Sequence, residues 1–221
     1  MNPALLFPVA IILLAVATTV LRYRARQARA RAVAALALRS GLTFSATDSE
    51  RIVDMPFRIF RLGDRRAVEL VVSGTHNGVP LHIFDYWYCV QSDKSSSYSR
   101  FTCALTEIRA ACPTLQVSHE NLFTRLGEDL GLHDVQLEYD DFNRRFRVKC
   151  KDQKFAFSLL DGGMMQWMLG SDSFESVDIE GPWVLLVAKQ LDPAHWLDLG
   201  TWIDAFVRHV PSVVYSTYPP Q

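Results

Sequence analysis

The residues able to do chemistry in this 221-residue chain are few, and Asp85 is the most conspicuous of them. In the run His82-Ile83-Phe84-Asp85-Tyr86-Trp87-Tyr88 its carboxylate sits among large side chains, where it must find partners or be held protonated. A carboxyl so placed suits a general acid or base, with His82 the nearest titratable companion. It equally suits a structural aspartate bonded to a tyrosine, an arginine or backbone amides. His82 and Asp85 alternate to opposite faces of a regular strand, which argues against a direct pair. Cys112, just before Pro113, becomes a nucleophile only with a base such as His119 or His133 beside it, and a small buried apolar residue is the simpler reading. Asp192, His195 and Asp198, three residues apart, place potential metal ligands on adjoining helical faces, although a capping aspartate explains the same spacing.

Stronger signatures are missing. The chain contains no HExxH, GxSxG, GxGxxG or Walker-type pattern. Its four cysteines, Cys89, Cys103, Cys112 and Cys150, fall in no metal-ligand spacing. In a reducing compartment they are expected as thiols, and Cys89 and Cys103, on neighbouring strands, are the pair a disulfide would join elsewhere. The acidic run Glu138, Asp140 and Asp141 ahead of Arg144, Arg145 and Arg147 reads as a solvated turn with ion pairs. No cofactor, metal or catalytic residue is therefore assigned. The expectation is a non-enzymatic interaction or scaffold module, the alternative a membrane-bound hydrolase with an acid/base site near Asp85.

What positions such a module is legible in the charge pattern. The chain is 49% hydrophobic and 21% charged with a formal charge of -1, which suits a packed core and excludes disorder. That near-neutral total hides a split: six arginines and no acidic residue lie in residues 1–39, leaving -7 on the rest. A basic head on an acidic body points to a membrane and away from nucleic acid. Ala4 to Leu21 carries no charge for eighteen residues, about 27 Å as a helix and enough to cross a bilayer. Arg22, Arg24, Arg26, Arg29 and Arg31 follow it, and basic residues mark the cytoplasmic flank of a span. The predicted location is the inner cell membrane, single-pass, with the N-terminus outside and the C-terminal domain cytoplasmic. The lipid bilayer is the expected partner, these arginines its surface contacts, and another membrane protein a further candidate partner. Strong helix formers continue the helix to Arg39, before Ser40 and Gly41 stop it.

Beyond Gly41, strand and helix signals alternate irregularly. Val68–Gly74 and Val79–Val90 flank Asn77-Gly78, a two-residue hairpin signal. Phe101–Ala110 is a third predicted strand after the polar linker Gln91–Arg100. Ser118 caps an expected helix carrying Leu122, Phe123, Leu126 and Leu130. Asp134–Tyr139 and Arg145–Cys150 read as strands, and Phe155–Leu169 as one helix weakened by Gly162 and Gly163. Ser173–Glu180 and Pro182–Leu191 read as a hairpin turning at Gly181. A last helix follows Asp192-Pro193, its apolar stripe Trp196, Leu199, Trp202, Ile203, Phe206 and Val210.

Met55–Asp64, the His82–Tyr88 strand, Asp140–Leu169 and the tryptophan-bearing final helix together resemble an uncharacterised bacterial family of single-span membrane proteins. Phe142–Leu169 also looks like the core motif of a wider bacterial domain family of unknown function. The resemblance implies the location and fold but no activity, cofactor or site residue. The expected architecture is α+β, with a transmembrane helix over residues 1–21, a basic helical stalk over 22–41, and a soluble domain over 42–221. In that domain a mainly antiparallel sheet packs with about three helices.

Overall fold

The computed structural model describes residues 3–92, 95–119, 131–171 and 174–220, with side chains from Ile12 onward. A helix, α1 (Pro3–Arg39), leads into a seven-stranded sheet. Its strands are β1 (Thr43–Thr47), β2 (Arg65–His76), β3 (Val79–Ser92), β4 (Ser95–His119), β5 (His133–Val135), β6 (Phe146–Cys150) and β7 (Ser176–Lys189). The order is β1-β2-β3-β4-β6-β5, with β7 on the other edge of β4, and every described pairing is antiparallel. The α+β reading holds.

Local chemistry sets the boundaries. Asn77 and Gly78 both take positive φ, 51° and 86°, closing the β2–β3 hairpin as their residue types require. Gly41 (φ 68°) ends α1 in a left-handed cap, with the Leu42 amide donating to Ala37 O at 2.9 Å. Beyond that turn Leu42 lies against Gly74, where a Cβ would come within 2.7 Å of its Cδ2.

Both sheet faces are covered. On one, Val33, Leu36 and Ala37 of α1 join Leu199, Trp202, Ile203 and Phe206 of α5 (Trp196–His209) over Val72, Leu81, Ile83 and Leu186. On the other, two 3-10 turns, Ile52–Asp54 and Arg58–Arg61, bring Ile52, Ile59 and Phe60 over Phe84, Tyr86, Cys103 and Leu185. These turns lie in or beside the Met55–Asp64 segment quoted above. Tyr86 Oη donates to Ile59 O at 2.6 Å, so the buried phenol is satisfied.

Several expectations are corrected. Among the described residues five α-helices follow α1, where about three were expected to pack with the sheet. Phe155–Leu169 is two helices, α3 (Gln153–Leu159) and α4 (Gly162–Leu169). Asp161 accepts from the Met164 amide at 2.8 Å, so the glycine pair opens a second helix instead of weakening one. The turn at Asp140 is α2 (Asp140–Arg145), acidic in its first turn and basic in its last, as the helix dipole favours. The last of them, α6 (Ser212–Thr217), was not foreseen. The hairpin expected at Gly181 is one continuous strand, β7, in which Gly181 (φ 58°) forms a bulge opposite Cys112. Ser118 lies inside β4, opposite Ser176 and Arg147, and the rest of the helix it was expected to cap lies outside the described residues. The polar linker Gln91–Arg100 is mostly paired strand, Ser92 opposite Ser95, with its tip at 93–94 also outside them.

One structural fact bears on the expected stalk. α1 is a single helix through it, and from Arg29 onward one face of the helix, with Val33, Leu36 and Ala37, packs into the body's core. Of the expected transmembrane segment, residues 1–2 and the side chains of 3–11 lie outside the described residues. Among the described residues no helix is long and apolar enough to cross a membrane.

Candidate functional site

Asp85 lies mid-β3, opposite Glu69 of β2 and Thr102 of β4. A bulge in β2 beside it puts Leu70 at φ 56° and resets the register from Glu69↔Asp85 to Val72↔Ile83. Four donors meet the carboxylate. Arg29 Nε donates to Oδ2 at 2.6 Å and Nη2 to Oδ1 at 2.8 Å, a two-pronged guanidinium–carboxylate pair. Thr102 Oγ1 donates to Oδ1 at 3.0 Å and Gln190 Nε2 to Oδ2 at 3.2 Å. Thr102 Oγ1 in turn accepts from the Leu191 amide at 3.0 Å, and the Arg29 guanidinium lies 5.8 Å from the Trp196 ring centroid.

This node relocates one residue assigned to the membrane surface. Arg29 belongs to the face shared with Arg22 and Arg26, but its guanidinium is committed to Asp85 and cannot serve headgroups. Arg22, Arg24, Arg26 and Arg31 are exposed. His82 does not join Asp85: it faces the other way, its Nδ1 3.5 Å from Glu50 Oε2. With both oxygens already accepting from donors, Asp85 has the geometry of a structural ion pair, not of an acid/base poised for substrate.

The other sequence candidates are not brought together. Cys112 is buried in β4, and burial pushes its thiol up to about 12, far from a reactive thiolate. Cys89 and Cys103 lie on opposite sheet faces, Cys103 opposite Phe84 and Cys89 opposite Tyr98, so no disulfide joins them, and all four cysteines are free and buried. His195 Nδ1 lies 3.0 Å from Asp198 Oδ2 on the surface, while Asp192 accepts from the Ala194 amide at 2.9 Å as a cap. Among the described residues no three His, Cys, Asp or Glu side chains are grouped to hold a metal.

The sequence reading missed Asp178. Val177 and Ile179 point into the helix-side core, so Asp178 points to the opposite face, where it is also buried. Gln116, its ladder partner, donates from Nε2 to Oδ1 at 2.7 Å, and Ser176 Oγ donates to Oδ2 at 3.0 Å. Burial raises the carboxyl to about 7; the bonds from Gln116 and Ser176 and the charge of Arg58 only partly oppose it. It lines a cavity of about 520 Å³ with Phe57, Arg61, Leu62, Gln116 and Lys151. A half-protonated acid among cations and apolar walls can bind a polar group or exchange a proton near neutral pH. The available sequence signal was Gln116 and Ser118 on β4 sharing the polar parity of Ser176 and Asp178 on β7.

The fold places the chain among α+β proteins in which helices flank an antiparallel sheet with a long central strand. No protein-family model matches it, and no curated protein matches its sequence. Among solved structures it is similar to the mycobacterial trehalose monomycolate transport factor A, TtfA. The two share 16% identity and a TM-score of 0.61, over 87% of this chain and 98% of that one. At that identity the likeness shows the fold alone.

Proposed function

We propose that the chain is a membrane-anchored, non-enzymatic interaction module, its N-terminus outside the inner membrane and its α+β body on the cytoplasmic side. One observation carries this reading. α1 is locked into the body by Arg29, Val33, Leu36 and Ala37, yet Ile12, Leu13, Leu14, Val16, Val20 and Leu21 on the same helix are between 43% and 66% exposed. Exposed apolar side chains continuing an uncharged run that starts at Ala4 fit a bilayer as their solvent. Arg22, Arg24 and Arg26 follow directly, and the first docking residue, Arg29, comes eight residues after Leu21, about 12 Å along the helix. The body therefore sits against the headgroups with no free stalk between.

Localisation is then the mechanism: a rigid tether raises the body's effective concentration toward a membrane partner. The name of the structurally similar mycobacterial protein describes a transport factor, and an accessory role in transport is the form of this reading that the likeness favours. The saturated carboxylate of Asp85 speaks against the alternative of a hydrolase built on that residue.

Membrane fractionation tests the anchor. The full chain should pellet with membranes and resist alkaline extraction. The Leu13→Arg, Leu14→Arg double variant, each arginine costing about 3 kcal/mol at mid-span, should move to the soluble fraction. A variant that stays in the pellet sinks the reading, and a reporter fused after Gln221 that works only outside the cytoplasm reverses the topology.

A further inference from the structure

The contacts of α1 fix its direction over the sheet. Leu42, just past its end, packs on Gly74, the ladder partner of Leu81, while Arg29 reaches Asp85. From its C-terminal end backward, α1 thus tracks β3 from Leu81 toward Asp85. Continued the same way, β3 carries Trp87 and Cys89 on the face of Asp85, opposite Arg100 and Tyr98 of β4 and beside Arg65 of β2.

That end of the face is open. Tyr98 is 50% exposed, Arg65 and Arg100 are exposed and Trp87 is half-buried, unlike the covered stretch from Leu81 to Asp85. The Trp87 and Tyr98 rings are 5.9 Å apart, and Arg65 Nη2 donates to Tyr98 Oη at 3.3 Å. Among the described residues, the neighbouring acids each accept from a neutral donor: Glu69 Oε1 from Trp87 Nε1 at 2.6 Å, and Asp64 Oδ2 from the Gln91 amide at 2.7 Å.

We propose that this β3–β4 arm, through Trp87, Tyr98, Arg65 and Arg100, is a second membrane contact that seats on anionic phospholipid headgroups and fixes how the body faces the bilayer. The inference rests on the anchor proposed above. Levels along the common direction support it. Tyr98 lies opposite Cys89, four residues past Asp85, or about 13 Å along the strand. The apolar run of α1 ends at Leu21, about 12 Å past Arg29. Trp87, two residues or about 7 Å past Asp85, therefore lies at the level of Arg24, and Tyr98 at the level of Leu21, so the aromatic pair spans from the basic flank to the edge of the apolar run, the headgroup layer. Tryptophan and tyrosine partition to that layer, apolar ring inward and polar edge in water. Arginine binds phosphate through its planar fork. The serines at the arm's tip, Ser92 and Ser95 to Ser97, suit a surface contact and not insertion into hydrocarbon. Residues 40–221 carry -7, so an anionic leaflet repels the body unless a basic strip faces it.

The test uses the full chain in vesicles of phosphatidylcholine with and without phosphatidylglycerol, each carrying a headgroup-level nitroxide quencher of tryptophan fluorescence. Quenching should be about twofold greater with phosphatidylglycerol, and Trp87→Phe should remove most of it. The exposed Arg65→Gln, Arg100→Gln double variant should reduce the quenching while its unfolding midpoint stays unchanged. Flotation separates the two proposals. A chain that does not float with vesicles overturns both. One that floats, but whose quenching ignores Trp87→Phe, the arginine pair and lipid charge, overturns the arm contact alone.

Discussion

Asp85 and Asp178 are both buried on the same sheet, at 5% and 7% exposure, yet face opposite sides and meet different company. Asp85 receives a guanidinium fork, a hydroxyl and an amide; Asp178 receives one amide and one hydroxyl, with Arg58 acting only through its charge. Burial makes the same demand of each. A cation at hydrogen-bond distance answers it by fixing the charge in place and, in this chain, by tying the N-terminal helix to the sheet. Neutral donors answer it incompletely, leaving a carboxyl that titrates near neutrality beside a cavity. One aspartate is architecture; the other keeps a proton equilibrium available.

The largest expected effect comes from breaking the satisfied pair. Arg29→Ala leaves Asp85 buried without its cation and should cost about 3–5 kcal/mol in denaturant unfolding. Adding Asp85→Asn should recover a large part of it, since no charge is then stranded. A cost below about 1 kcal/mol would mean that the fork is incidental to the docking of α1.

Asp178 should behave oppositely. Its folded-state pKa, about 7, lies above the unfolded value near 3.8, so the folded state binds the proton more tightly between the two. The associated stability is fully present below about pH 4, is lost as pH rises toward 7, and changes little above that. The shift corresponds to a ceiling of about 4 kcal/mol. Asp178→Asn should flatten this slope and stabilise the protein by about 2 kcal/mol at pH 8, measured by unfolding at pH 5 and pH 8. An unchanged slope would assign the titration elsewhere.

The two sites also differed in how far the sequence revealed them. Asp85 was visible because a carboxylate inside Ile83-Phe84-Asp85-Tyr86-Trp87 breaks an apolar run. Its partner was not: Arg29 lies 56 residues earlier in a basic cluster that reads as a membrane flank, and only the tertiary path of α1 brings it back. Asp178 was hidden because Ser176-Val177-Asp178-Ile179-Glu180 is the alternation of a half-exposed strand, and coverage of its polar face is a tertiary fact. The fold divides likewise. Asn77-Gly78 fixed a hairpin because positive φ at both positions leaves few alternatives. Gly181 between two strand-like runs serves a turn or a bulge equally, and the long edge of β4 decides for the bulge.

Within the satisfied site the contributions should themselves be graded. Thr102 is fully buried and works twice, donating to Asp85 and accepting from the Leu191 amide, so Thr102→Val leaves a half-buried backbone donor without its partner as well as losing the bond to Asp85. It should cost about 1–3 kcal/mol, read from the shift in denaturant midpoint at constant slope. Gln190 bonds the same carboxylate at 3.2 Å from an exposed position at the end of β7, where water replaces its amide once the side chain is cut back. Gln190→Ala should therefore cost about 0.5 kcal/mol or less. If Gln190→Ala instead equalled Thr102→Val, the node would be held by the number of its hydrogen bonds and not by their burial, and the contrast with Asp178 would rest on the cation alone.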